Sequence, residues 1–277
     1  MTFIITLISL LVERFFHWSH LRHWRWFDKY QSWLGRRIGN WPSYALLAIC
    51  ILPLVLLVGF INCGLGGWMY GIPKLIFGVI ILLYCIGPNN LWMQVYACIN
   101  ELHKEDPKIA VDRAQSAFGI ALPANSQAFH QALTSAIFIE ANQRIFAVVF
   151  WFVVLGPVGA VLYRSIAICA EKSDLGLISL AAKCQRLLDW IPVRVLTFLF
   201  ALGGHFMEVF SLWRKYLVKD VGANDSMLTE CGVAALDIKE NGVLPEDGAA
   251  EKATLDLLDR ALIIWLVMLA VVAIIVE

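Results

Sequence analysis

The chain has 277 residues, 60% of them hydrophobic and 16% charged, with a mean hydropathy of +0.70. A soluble domain of this size cannot bury so much apolar side chain, so the composition excludes that class and indicates an integral membrane protein. The formal net charge is zero, which removes any bulk electrostatic argument for nucleic acid.

The opening run MTFIITLISLLV is too short to span a bilayer. Glu13 and Arg14 follow with no small-residue cleavage site, so no cleaved signal peptide is expected. From Glu13 to Pro42, five of the eleven tryptophans (Trp18, Trp24, Trp26, Trp33, Trp41) alternate with basic residues. Aromatic rings mixed with cations suit the headgroup layer. Residues 1–41 therefore read as an N-terminal interfacial amphipathic segment, a helix or helix pair. Residues 42–277 read as a helical membrane domain, with apolar stretches at 43–61, 72–87, 145–170, 193–210 and 261–276. The stretch 145–170 contains Gly156, Pro157 and Gly159, and Pro157 is expected to bend a helix there. The expected fold class is an all-α polytopic membrane protein, with about five transmembrane or re-entrant helices plus interfacial and cytoplasmic amphipathic helices.

Lys and Arg are placed unevenly. With the N-terminus inside, sixteen fall in 1–42, 88–144 and 211–260, against six on the other side. The positive-inside rule then makes the N-terminal segment and both long loops cytoplasmic. Five of the six opposing cations lie between Arg164 and Arg194. If the Pro157 segment is re-entrant, that loop becomes cytoplasmic too. Within 88–144, Leu91, Val95, Ile99 and Leu102 recur at helical spacing, and Pro107 is placed to start a further helix. The stretch KENGVLPEDGA in 211–260 is rich in turn residues.

The seven cysteines show no CxxC pair and no zinc spacing, and read as buried or reduced thiols. His17, His20 and His23 recur every third residue, but no carboxylate or cysteine joins them, so no metal site is expected. GLGGWMYG at 64–71 fails the GxGxxG pattern at Met69, and no cofactor is indicated.

Polar residues gather at particular points. Glu140, Asn142, Gln143 and Arg144 precede the third apolar stretch, and Tyr163 and Arg164 lie near its end. On a regular α-helix, Glu140 and Arg144 share a face. Asp189, Pro192 and Arg194 stand at the entrance to the fourth stretch, with Gly203, Gly204 and His205 deeper. A histidine within a span is a candidate functional group or an interhelical hydrogen-bonding residue. Asp112 and Arg113 form a further polar pair on a solvated helix face or at a site.

The string EANQRIFAVVFWFVVLGPVGAVLYRSI, followed by LLDWIPVRVLTFLFALGGHF, resembles the AmpE family of inner-membrane proteins associated with regulation of beta-lactamase induction. That family is similar to the CobD/CbiB synthases, which attach an aminopropanol moiety to cobyric acid. The resemblance covers most of the chain. It matches Glu140 and Asn142 to a Glu-Asn pair of the synthases, Tyr163 to a tyrosine, and Asp189, Pro192 and Arg194 to an Asp-Asn-x-x-Pro-x-Arg entrance, with Trp190 departing at the asparagine-like region. Where the synthases carry Ser-Arg-Asp-Thr, this chain has Asp112-Arg113-Ala114-Gln115. Where they carry Asn-Thr-Leu-Asp-Ser-Met, it has IAICAEKS. These departures remove polar groups suited to ligation chemistry and leave the scaffold.

The resemblance implies a multi-pass regulator of the bacterial inner membrane, not an enzyme, linked to beta-lactamase induction and cell-wall recycling. It is expected to bind a peptidoglycan-derived or other anionic ligand, or a partner. The candidate binding residues are Glu140, Asn142, Arg144, Tyr163, Arg164, Asp189 and Arg194, with Asp112, Arg113 and His205 as further possibilities. An amide-forming synthase of the cobalamin type is the alternative. A transporter is a second alternative, from the Gly156–Pro157 break.

Overall fold

In a computed structural model, the described residues are 2–15, 24–38, 41–65, 72–86, 91–103, 107–120, 125–173, 176–236 and 248–276. His17, His20 and His23, nearly all of the glycine-rich 64–71 stretch and most of KENGVLPEDGA lie outside them. The described residues are helical and include no strand. Two units emerge. One comprises Met1–Pro88 and Gln143–Asp189, the other Asn89–Asn142 and Trp190–Glu277.

The first unit holds α1 (Thr2–Phe15), α2 (Arg25–Ile38), α3 (Ser43–Gly64) and α4 (Ile72–Cys85). It also holds α8 (Ala147–Leu155), α9 (Pro157–Glu171) and the beginning of α10 (Ile178–Gly203). α1 packs on α4, while α9 packs on α3, α4 and α8. Trp24 and Trp26 of the aromatic-rich N-terminal segment meet Tyr84 of α4, where the Trp26 indole donates to the phenol at 2.6 Å.

Two prolines lie inside helices, and each strips an N–H from its helical ladder. Pro53 in α3 leaves the Ile49 carbonyl without its usual donor, and the Tyr30 hydroxyl fills that place at 3.0 Å. Pro192 in α10 does the same to Leu188, whose carbonyl accepts from the Trp151 indole at 3.2 Å. In both cases an aromatic donor on another helix satisfies a carbonyl that would otherwise be a buried liability.

The stretch 145–170, expected as one bent span, is a helical hairpin. Gly156 has φ +68°, open to glycine and strained for other residues. Pro157 therefore sits at the start of α9 and not inside a helix, so it breaks no ladder bond. α9 folds back so closely that a Cβ on Gly159 would lie 2.2 Å from the Trp151 carbonyl oxygen.

The second unit contains α5 (Leu91–His103), α6 (Pro107–Phe118) and α7 (Ser126–Ala141). The remainder of α10, then α11 (Phe206–Tyr216), α12 (Asn224–Leu236) and α13 (Ala249–Val276) complete it. α6 starts at Pro107, as its proline signal predicts. The Asn125 side chain caps α7 by accepting from Ala128 N at 2.7 Å. α7 packs against α12 and α13. Its buried face carries Leu133, Ile137 and Phe138, with Phe138 against Phe200 of α10.

Among the described residues, three helices are long and apolar enough to cross a membrane: Ser43–Gly64, Ser126–Leu155 and Ala249–Ile275. The second is longer than the sequence indicates, because α7 and α8 join through a π-turn at Asn142–Phe146. The stretch 193–210 also differs from its expectation. α10 ends at Gly203, and α11 begins at Phe206.

Candidate functional site

In the first unit, Tyr163 of α9 is fully buried, and its hydroxyl donates to the Asp189 carboxylate at 2.6 Å. Gln185, one turn before Asp189, also bonds that hydroxyl. The structure thus brings together Tyr163 and Asp189, two residues singled out 26 positions apart.

Arg164, the next residue, is only 9% exposed. Its Nε is buried with no hydrogen-bond partner, and no carboxylate forms an ion pair with it among the described residues. Glu171 and a second cation, Arg144, lie within electrostatic range. A desolvated guanidinium with an unpartnered Nε is costly. The arrangement is suited to accept an anion that supplies the missing acceptor.

Arg144 is half-buried in the π-turn. Glu140 lies at the end of the α-helical part of this segment, and Arg144 lies in the π-turn that follows it. A π-turn closes i to i+5 and rotates the residues that follow it. Glu140 and the buried Asn142 belong to the second unit, and Arg144 to the first.

Arg194, in the second unit, has a different occupation. Its Nε donates to Leu217 O at 3.1 Å. Nη1 donates to Trp190 O at 2.8 Å and Asn224 Oδ1 at 3.4 Å, and Nη2 to Lys219 O at 2.8 Å and Tyr216 O at 3.4 Å. The guanidinium also stacks over the Trp190 ring, 3.9 Å from its centroid. It therefore terminates α11 and orders the turn after it, satisfying carbonyls that a helix end leaves open. An anion could reach these donors only by displacing that turn.

His205 is exposed in the break between α10 and α11, at the N-cap of α11, and not within a helix. Two glycines precede it, and the helix ends there. Asp112 and Arg113 lie on α6, beside a cavity of about 400 Å³ also lined by Gln94 and Cys98. Arg113 pairs with Glu101 at 3.3 Å. Burial pushes the Cys98 thiol up to about 11, so it is not a thiolate nucleophile near neutral pH.

Sequence reasoning missed the pair formed by His130 and Glu251. His130 Nδ1 and Glu251 Oε1 are 2.8 Å apart, joining α7 to α13, and both residues are buried. Glu251 lies in the first turn of α13, where the helix dipole favours a carboxylate. The 121 positions between the partners leave no local signal to find them.

These features define an all-α membrane protein with buried polar groups set among apolar helices. The family described as "Regulatory signalling modulator protein AmpE" matches residues 1–276, and the chain belongs to it. It is 23% identical over 226 residues to Protein AmpE of Shigella flexneri, covering 77% of this chain and 78% of that protein. It is also 25% identical over 225 residues to "Cobalamin biosynthesis protein CobD" of Stutzerimonas stutzeri (strain A1501), covering 76% of this chain and 71% of that protein. A CobD of Chromobacterium violaceum is 25% identical over 180 residues, or 61% of this chain and 56% of that protein. No solved structure matches.

Proposed function

We propose that this AmpE-family chain is a regulator in the bacterial inner membrane, linked to beta-lactamase induction and cell-wall recycling, and that it binds an anionic ligand or partner at Arg164. The observation that carries the binding reading is the buried Arg164 Nε with no acceptor. Arg144 adds a second positive charge within range. The Tyr163–Asp189 bond steadies α9 beside it. A carboxylate or phosphate would supply the acceptor that the Arg164 Nε lacks. The link to beta-lactamase induction and recycling comes from the family resemblance.

Native mass spectrometry of the full chain in mild detergent, beside Arg164→Gln, tests this reading. An anionic molecule is expected to copurify with the parent and be lost from the variant. Identical spectra from two equally folded samples would remove it.

The likeness to two proteins named for cobalamin biosynthesis favours a second reading, an amide-forming synthase. Amide product from cobyric acid and an aminopropanol donor would establish it.

A further inference from the structure

Helix α11, within the second unit, starts at a height marked by a cation. Arg260 is the last charged residue of α13 before the uncharged run from Ala261 to Val276. Such a run enters hydrocarbon where its last cation stops, because the guanidinium stays with water and headgroups. Arg260 Nη1 donates to Gly203 O, at the end of α10, at 3.0 Å. The break at Gly204 and His205 is therefore tied to headgroup level, and α11 begins immediately after it.

The surface of α11 matches that layer. Val209 and Tyr216 are buried against the unit. Phe206, Phe210 and Trp213 stack along one flank, with ring centroids 5.3 and 5.8 Å apart. Away from the buried side, Phe206 is 43% exposed and Met207 80%, while Val218, in the turn that follows, is 90% exposed. Arg214, Lys215 and Lys219 are exposed beside these apolar groups. None of the three pairs with a carboxylate among the described residues. Lys219 instead lies over the Tyr216 ring, 3.8 Å from its centroid. Exposed aromatic and aliphatic groups beside unpaired cations fit an interface between acyl chains and phosphates.

We propose that α11 is an interfacial helix docked in the headgroup layer of the bilayer that α13 enters, and that Arg214, Lys215 and Lys219 hold anionic phospholipid headgroups there. Met207, Phe206 and Val218 enter the acyl boundary, while the three cations pair with lipid phosphate. This proposal does not depend on the Arg164 reading.

The test uses the full chain in nanodiscs of mixed phosphatidylglycerol and phosphatidylcholine. A photoreactive p-benzoylphenylalanine replacing Met207 is expected to crosslink to lipid. On release into the gas phase, the parent is expected to retain phosphatidylglycerol over phosphatidylcholine. R214Q/K215Q/K219Q should reduce that preference about fivefold per cation, and R214K/K215R should preserve it. Crosslinking at 207 to a second copy of the chain, or to nothing, would overturn the docking. Equal retention of the two lipids by the parent would overturn the headgroup assignment.

Discussion

Arg164 and Arg194 are both buried arginines beside apolar stretches, and their environments give them opposite roles. Arg194 has five hydrogen-bond acceptors, four of them backbone carbonyls. Arg194→Gln should therefore destabilise the second unit by about 3 kcal/mol or more, since several charge-assisted bonds are lost and carbonyls are left open. Arg164→Gln removes a desolvated cation with an unmet donor. In ligand-free protein it should leave the melting temperature unchanged or raise it. Thermal scans of the two variants in one detergent check both expectations. His130→Ala strands the Glu251 carboxylate in a buried site and should cost about 3–5 kcal/mol, as the breaking of a buried pair does. Chemical denaturation beside a H130L/E251L double variant, expected to recover much of the loss, measures it. Tyr216 gives a pH signature. Its hydrogen bond to Glu230, with burial, raises the phenol to about 12. The fold favours the protonated form, so this contribution is whole below about pH 10 and is lost as pH rises through about 12. Melting temperature followed from pH 8 to 12 should fall more steeply in the parent than in Tyr216→Phe.

Among the elements, the interior prolines provide a test that does not depend on function. Tyr30→Phe leaves the Ile49 carbonyl without a donor and should cost about 1–3 kcal/mol. In a Pro53→Ala background the same change should cost little, because an alanine N–H restores the ladder bond to Ile49. A double-mutant cycle on thermal stability reads this coupling directly. The sequence makes the prolines visible, but not the donors that satisfy them, since Tyr30 and Trp151 reach their carbonyls only through helix packing. Much else at this scale was legible. The start of α6 at Pro107 and the extended apolar helix from Ser43 follow from proline placement and uninterrupted apolar side chains. The hairpin at Gly156 was not legible in full, because GP within an apolar run permits a kink or a reversal. The close approach of Gly159 to Trp151, a tertiary contact, settles it.

At the scale of the whole molecule, the hairpin changes the sidedness argument. A hairpin whose two ends return to one face of the membrane would bring the 164–194 loop to the cytoplasmic side, as a re-entrant 145–170 segment requires. With α3, the shorter apolar α4 and α13 as the crossings, the charge tally would become more one-sided than in a linear reading of five spans, with Lys74 the single Lys or Arg on the opposing side. Single cysteines at Gln143 and Lys172, on a cysteine-free background, should accordingly be labelled from the same side by an impermeant maleimide. Labelling from opposite sides would reinstate a crossing at 145–170.

By itself, the sequence determined that this is a helical membrane protein of the AmpE type, because composition, apolar run length and an ordered set of polar residues are properties of the chain read along its length. It also picked out Tyr163, Asp189 and Arg164. Only the tertiary structure decided which polar groups are occupied. Whether a buried arginine meets carbonyls, as Arg194 does, or meets none, as at the Arg164 Nε, depends on helices brought together from distant parts of the chain. For the same reason His130 and Glu251 pair without any local pattern: burial makes an ionisable group seek whatever partner packing places beside it.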